Sequence, residues 1–293
     1  MTRPFRFGVN MLTPGVGDEW RKRCRRAEEL GYDVILVPDH LGMPAPFPAV
    51  VAAAYATERP RVGTFVLNAA FWKPALLARE IATTDALTDG RLEVGLGTGY
   101  VREEHERAQV EWRSPGARVD HLRRVVEELD RLLDDESHVP QSVQRPRPPL
   151  LIGANGDRML RLTAKHAEIA AFPGARTGKD GMLLPLTAEE LDERVAAYRR
   201  FAAGRETPAE LNLLVQRVTV GPDRRAAARE LMPYVPHLTE EQVLDLPLML
   251  AGTTRQIADQ LREQRERYGF SYITVLDPAM ETFAPVIEEL RGT

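Results

Sequence analysis

Apolar residues in this chain gather in short blocks, and amphipathic stretches fill the spaces between them. The blocks cover residues 5–11, 34–38, 62–68, 92–97, 150–153, 169–172, 213–220 and 272–276, and they are rich in Val, Ile and Phe. Most are nearly continuous rather than alternating, which suits strands covered on both faces in a parallel sheet. The intervening stretches read as helices with start and stop signals. Asp18 reads as the cap of a helix whose inner face carries Trp20, Cys24, Ala27 and Leu30, and Gly31 ends it. Ser114-Pro115 opens a second, with Val119, Leu122, Val126, Leu129 and Leu133 at helical spacing. Thr253 or Thr254 opens a third, with Ile257 and Leu261 inward and Gly269 after its end. Asp89-Gly90 reads as a turn before the fourth strand.

Eight strands alternating with helices in 293 residues fit a (β/α)8 TIM barrel in a single domain over 1–293. A doubly wound open sheet satisfies the same periodicity. Residues 173–185, with Gly174, Gly178 and Gly181, read as a mobile insertion loop over a strand end. Residues 222–247, with Pro233, Pro236 and Pro247, read as irregular helix outside the barrel.

Composition removes several function classes. Lys+Arg 39 against Asp+Glu 43 gives a formal net charge of -4, so a polyanion such as nucleic acid is not an expected partner. Only Lys22, Lys73, Lys165 and Lys179 are lysines; this arginine bias reads as coding composition rather than as a binding surface. Cys24 is the sole cysteine, on a helical face with apolar neighbours, and reads as a buried core thiol. No apolar run approaches about 18 residues, so no membrane span is expected. The opening residues carry no apolar leader segment, and a cytoplasmic protein is expected. His121, His166 and His237 show no metal spacing, and there is no serine-centred elbow.

A barrel of this type carries its active site at the C-terminal ends of the strands. That rule selects Pro38-Asp39-His40, Asn68 to Trp72, Gly95 to Tyr100, Gly153 to Arg158, and Pro173-Gly174. His40 reads as a proton donor with Asp39 holding its tautomer, or as a surface imidazole after a strand. Gly153-Ala154-Asn155-Gly156 before a helix, followed by Arg158, reads as a phosphate cradle or as a plain turn. Gly95, Gly97 and Gly99 leave a strand face bare, for a flat ligand or for a neighbouring backbone. Glu104 reads as a general acid folded over the mouth, or as part of an exposed helical turn. Trp72 and Trp112 read as walls of an aromatic pocket or as packing.

Read together, these segments resemble the luciferase-like flavin and deazaflavin oxidoreductases over essentially the whole chain. The resemblance rests on Phe7-Gly8, Glu29 to Asp33, Val37-Pro38-Asp39-His40, Pro74 to Glu80, Asp85 to Leu92, and Gly95 to Tyr100 with Glu104. Leu211 to Gln216 and Arg265 to Gly269 resemble a subgroup that works with the deazaflavin F420. The resemblance implies His40 beside the cofactor ring and substrate, with Asp39 and Glu104 in the catalytic group. It implies a bulge at Asn68 and Ala69, often with a non-prolyl cis peptide, behind the ring. Thr98 and Gly99 would contact the cofactor; Gly153, Ala154, Asn155, Gly156 and Arg158 would hold its phosphate, with Pro173 and Gly174 nearby. Tyr100 departs from the tryptophan common at that place. The implied activity is hydride transfer between F420 and a small organic substrate or a modified peptide, in a homodimer formed through outer helices. Two other readings stand beside it: an FMN-dependent monooxygenase on the same barrel, and a cofactor-binding barrel without catalysis.

Overall fold

The computed structural model describes residues 3–293 except 14, 16 and 179–182. Eight parallel strands form the barrel: β1 (Arg6–Asn10), β2 (Val34–Val37), β3 (Arg61–Thr64), β4 (Leu92–Gly97), β5 (Leu150–Gly153), β6 (Ile169–Phe172), β7 (Glu210–Val215) and β8 (Phe270–Leu276). Each pairs in parallel with the next, and β8 closes on β1 through registers such as Phe7 with Ile273. Closure of β8 on β1 rules out the doubly wound open sheet that the block pattern also allowed, and the closed ring is a (β/α)8 TIM barrel. The continuous apolar runs follow from it, since barrel strands are buried towards both the interior and the helices. β4, β5 and β6 occupy the expected residues.

The helix signals behave with one exception. Ser114 accepts from the Ala117 amide and Thr253 forms a capping box with Gln256, while Gly269 ends its helix at φ 88°. Asp18 is not a cap: Gly17 holds that position, and Asp18 lies in the first turn of helix Asp18–Glu29, paired with Arg21. A carboxylate is favourable there through the helix dipole.

Two expected segments differ. The 62–68 run is broken at a cis peptide between Phe65 and Val66, and a short strand Leu67–Asn68 then rejoins β4. The 213–220 run is two strands. Gln216 turns the chain out of the barrel, and strand Arg217–Val220 pairs with strand Met249–Gly252, which the pattern did not reveal. Strand Met249–Gly252 and helices Arg224–Leu231 and Glu240–Leu244 enclose a separate apolar cluster that includes Ala228, Val243, Met249 and Ala251, whereas Val218 and Val220 pack on the main core. The 222–247 region thus packs outside the barrel as expected. In place of an irregular 173–185 loop, strands Ala175–Thr177 and Leu183–Pro185 form an antiparallel pair; Gly181 lies outside the described residues.

The barrel interior is polar at the end opposite the site. Arg6 pairs with Glu93 and reaches Glu210 at 2.6 Å, and Arg61 reaches Glu93 at 2.8 Å. The Arg6 guanidinium lies 4.0 Å from the Tyr272 ring centre. Burial opposes its charge, but Glu93, Tyr272 and Glu210 outweigh burial and hold its pKa above the ordinary value.

Candidate active site

The C-terminal strand ends open into a cavity of about 430 Å³. Asn10, Pro38-Asp39-His40, Asn68, Gly97 to Tyr100, Gly153 to Gly156 and Pro173 supply much of its wall, so most of the selected strand ends meet in one place. Thr98 and Gly99 follow β4; Ala154 and Asn155 follow β5.

His40 lies just past β2, and its Nδ1 is 2.9 Å from Oε1 of Glu104. Glu104 sits on the short helix Arg102–Arg107, yet its side chain is only 13% exposed. It is therefore not part of a solvated turn. A carboxylate accepts, so Nδ1 carries the proton in this contact and Nε2 remains as the imidazole's second functional atom. The Tyr100 ring meets His40 edge-on at 5.8 Å between centres.

Asp39 is not the partner of His40. Its Oδ2 accepts from the Asn68 amide at 3.1 Å and from the Trp72 indole at 3.3 Å. Burial pushes its carboxyl above the ordinary 3.8, against the lowering effect of those two donors. Asp39 thus pins the segment after β3 to the end of β2. Asn68 adds a second tie, its Oδ1 accepting from the Ala70 amide.

The glycines divide into two kinds. A Cβ on Gly95 would come to 2.1 Å from the Thr64 carbonyl oxygen, and one on Gly97 to 2.7 Å from Val66. Those two are needed for the approach of strands β3 and β4, the backbone reading rather than the ligand one. A Cβ on Gly153 or Gly156 would meet nothing within 4 Å. Protein packing leaves room there, and Gly156 precedes helix Asp157–His166, whose start has no side-chain cap. The Asn10 Oδ1, also in the wall, is buried without a partner.

Of the expected cofactor contacts, Arg158 and Gly174 are not in the cavity wall, while Ala154 and Asn155 line it with their polar groups already engaged. Arg158 points away from the cavity and pairs with Asp120 at 2.5 Å on helix Pro115–Asp134. The Ala154 amide is committed to the Ala171 carbonyl at 2.9 Å, and the Asn155 side-chain amide to the Ala175 carbonyl at 3.1 Å. Gly174, at φ 65°, makes the turn into the antiparallel pair, where its carbonyl accepts from Leu186. Pro173 does line the cavity.

A second cavity, of about 310 Å³, lies alongside and shares Thr98 with the first. Ala69 belongs to this one, and its carbonyl accepts from His121 Nε2 at 3.1 Å. Trp72 also lines it, whereas Trp112 packs against His105 and Arg118. Cys24 is fully buried, and burial pushes its thiol up to about 12, as befits a core residue rather than a nucleophile. Among the described residues no group of three or more His, Cys, Asp or Glu is placed to hold a metal ion, and no helix is long and apolar enough to cross a membrane.

Comparison with known proteins decides the family. The model of the family described as luciferase-like monooxygenase matches residues 1–272. The chain belongs to this luciferase-like family. Among its relatives, the F420-dependent glucose-6-phosphate dehydrogenase of Kribbella flavida is 30% identical, the match covering 90% of this chain and 83% of that protein. The oxygenase component of the flavin-dependent trigonelline monooxygenase of Acinetobacter baylyi is also 30% identical, over 47% of this chain; the match spans only 43% of that protein. Among solved structures, an F420-dependent secondary alcohol dehydrogenase in complex with an F420-acetone adduct superimposes with a TM-score of 0.76, at 15% identity and 98% coverage of both chains. That likeness is one of fold.

Within this luciferase-like barrel, Asn10, Lys73, Arg113, Arg118 and His121 line the two cavities although the sequence pattern gave none of them a site role. Asn10 is the last residue of β1, so the strand-end rule could have selected it. The basic group comes from two loops and a helix face, with no spacing to link them.

Proposed function

We propose that the protein is an F420-dependent oxidoreductase acting on a small organic substrate. The observation that carries this reading is the His40–Glu104 pair at the wall of a cavity whose floor includes glycines that no protein atom crowds. The F420-dependent relative, similar along most of both chains, supports the cofactor class.

When bound, F420 supplies hydride exchange with the substrate. The chain's own residues would supply the rest. His40 gives or takes the accompanying proton at Nε2, because Glu104 occupies Nδ1. Asp39 and Asn68 hold the segment after β3 in place, and Thr98 and Gly99 form the adjoining wall. Gly153, Gly156 and the uncapped start of helix Asp157–His166 would take the cofactor's phosphate, since amides at a helix start favour an anion. Arg158 is engaged by Asp120 instead. Asn10 offers its partnerless Oδ1 to a ligand donor.

The test is separate titration with F420 and with FMN, following cofactor fluorescence at fixed salt. Tight F420 and weak FMN binding is the expected result. The second reading, an FMN-dependent monooxygenase, is favoured by the trigonelline monooxygenase relative. Preferential FMN binding with oxygen-dependent turnover would establish it instead. Binding of neither would return the barrel to a non-catalytic role. The proposal includes a homodimer through outer helices: Pro46–Ala56 and Pro74–Leu87 leave Tyr55, Leu76 and Leu87 exposed. Sedimentation equilibrium at a single-chain mass would overturn that part.

A further inference from the structure

The cavity beside the main one is built differently from it. Its wall carries Lys73, Arg113, Arg118 and His121 against a single acid, Glu111. Glu111 is engaged by Arg113 at 2.9 Å. Among the described residues neither Lys73 nor Arg118 forms an ion pair. Arg118 is nevertheless fixed: its guanidinium lies 4.0 Å from the Trp112 ring centre, and its Nη1 donates to the Arg113 carbonyl at 2.8 Å. Its Nε is buried with no acceptor. A stacked, half-buried guanidinium with an orphaned donor is costly unless an acceptor arrives.

Burial holds the charged forms of both Arg118 and His121 down, and at His121 Arg113, Arg124 and Lys73 add to the lowering. The positive charges there repel one another, with too few carboxylates to neutralise them. Such a cluster is complementary to a compact anion, and a planar guanidinium suits phosphate or carboxylate. Thr98 stands in both walls, so a ligand in the main cavity is one residue away from this charge.

We propose that this second cavity is an anion subsite, receiving a phosphate or carboxylate carried by the ligand that occupies the main cavity. The assignment of that ligand rests on the reading above; the subsite itself does not. The cofactor cradle proposed at Gly153 and Gly156 lies in the other cavity's wall, so the subsite is separate from it.

Tryptophan fluorescence tests it directly. Trp72 lines the cavity and Trp112 lies against Arg118, whereas Trp20 is buried in the core. Inorganic phosphate, titrated at constant ionic strength with chloride as control, is expected to give a saturable change. Lys73→Gln, at an exposed side chain, and Arg118→Gln should each weaken phosphate at least about tenfold, or about 1.4 kcal/mol. Lys73→Gln guards against a folding defect in the Arg118 variant.

F420 titration of the same variants separates the two sources of the anion. An equal loss of F420 affinity assigns the anion to the cofactor. Unchanged F420 affinity with lost phosphate binding assigns it to the substrate. Saturable phosphate binding that the variants abolish, without F420 or FMN binding, keeps the subsite and removes the cofactor reading. Phosphate no better than chloride, with unaltered cofactor affinity in both variants, would overturn the subsite.

Discussion

Glu104 Oε1 lies 2.9 Å from His40 Nδ1 although the residues are 64 positions apart in the chain. The barrel brings the end of β2 and the helix after β4 to one mouth, and the carboxylate then selects which imidazole nitrogen faces chemistry. His40→Ala should lower kcat by about 10²–10⁴-fold while the cofactor dissociation constant stays near that of the wild type. Glu104→Gln keeps an acceptor and loses the charge, so a loss of about tenfold is expected, with a greater one for Glu104→Ala. Steady-state kinetics beside cofactor titration reads both. An unchanged kcat in Glu104→Ala would remove the carboxylate from the mechanism.

The two kinds of glycine give opposite phenotypes. Gly97→Ala forces a methyl against Val66 and should cost about 1–3 kcal/mol of stability. Gly153→Ala and Gly156→Ala meet no protein atom, so stability should move by less than about 0.5 kcal/mol. Their methyl groups project where a ligand would lie, and cofactor affinity should fall by about tenfold. Denaturant melts and cofactor titration of all three variants check the contrast. Full cofactor affinity in both Gly153→Ala and Gly156→Ala would move the ligand away from this loop.

Much of the architecture was legible because barrel strands are apolar on both sides. β4, β5 and β6 are visible as blocks with their true limits. The block 213–220 was not, since the strand that leaves the barrel at Gln216 keeps Val218 and Val220 packed against the main core and so stays apolar. Strand-end position located His40, Asp39 and Thr98, but it could not assign partners. Asp39 is next to His40 in sequence and binds Asn68 and Trp72 instead, because consecutive side chains at a strand end point apart. Arg158 shows the same limit on a helix: the phosphate reading needed its side chain on the cavity side, and its side chain faces Asp120 on the neighbouring helix.

The barrel floor should govern stability without governing chemistry. Glu93 is 3% exposed and serves both Arg6 and Arg61, from the end of the strands opposite His40. Glu93→Ala leaves two guanidinium groups short of a partner, and a loss of about 3–5 kcal/mol is expected. Glu210 still holds Arg6, which favours the lower end. Under conditions where the variant remains folded, cofactor affinity should equal that of the wild type. A loss of cofactor binding without loss of stability would contradict this division.

Asp39 offers a test with a defined sign in pH. Both of its hydrogen bonds end on Oδ2, so the amide oxygen of Asp39→Asn can accept them while the buried charge disappears. Burial raises the folded-state pKa of Asp39 above 3.8, so the folded protein binds this proton more tightly than the unfolded chain. The wild type's favourable contribution from this group is therefore fully present below the unfolded value and is lost as pH rises through the folded one. Asp39→Asn has no such dependence. Its stability relative to the wild type should rise from about pH 3.8 upward and level off once the wild-type carboxyl is ionised in both states. Asp39→Ala differs at every pH, because it strands the Asn68 amide and the Trp72 indole at a cost of about 1–3 kcal/mol. Thermal melts of the three proteins across that range measure the curves. A flat difference between Asp39→Asn and wild type would mean that the carboxyl titrates as it does in the unfolded chain.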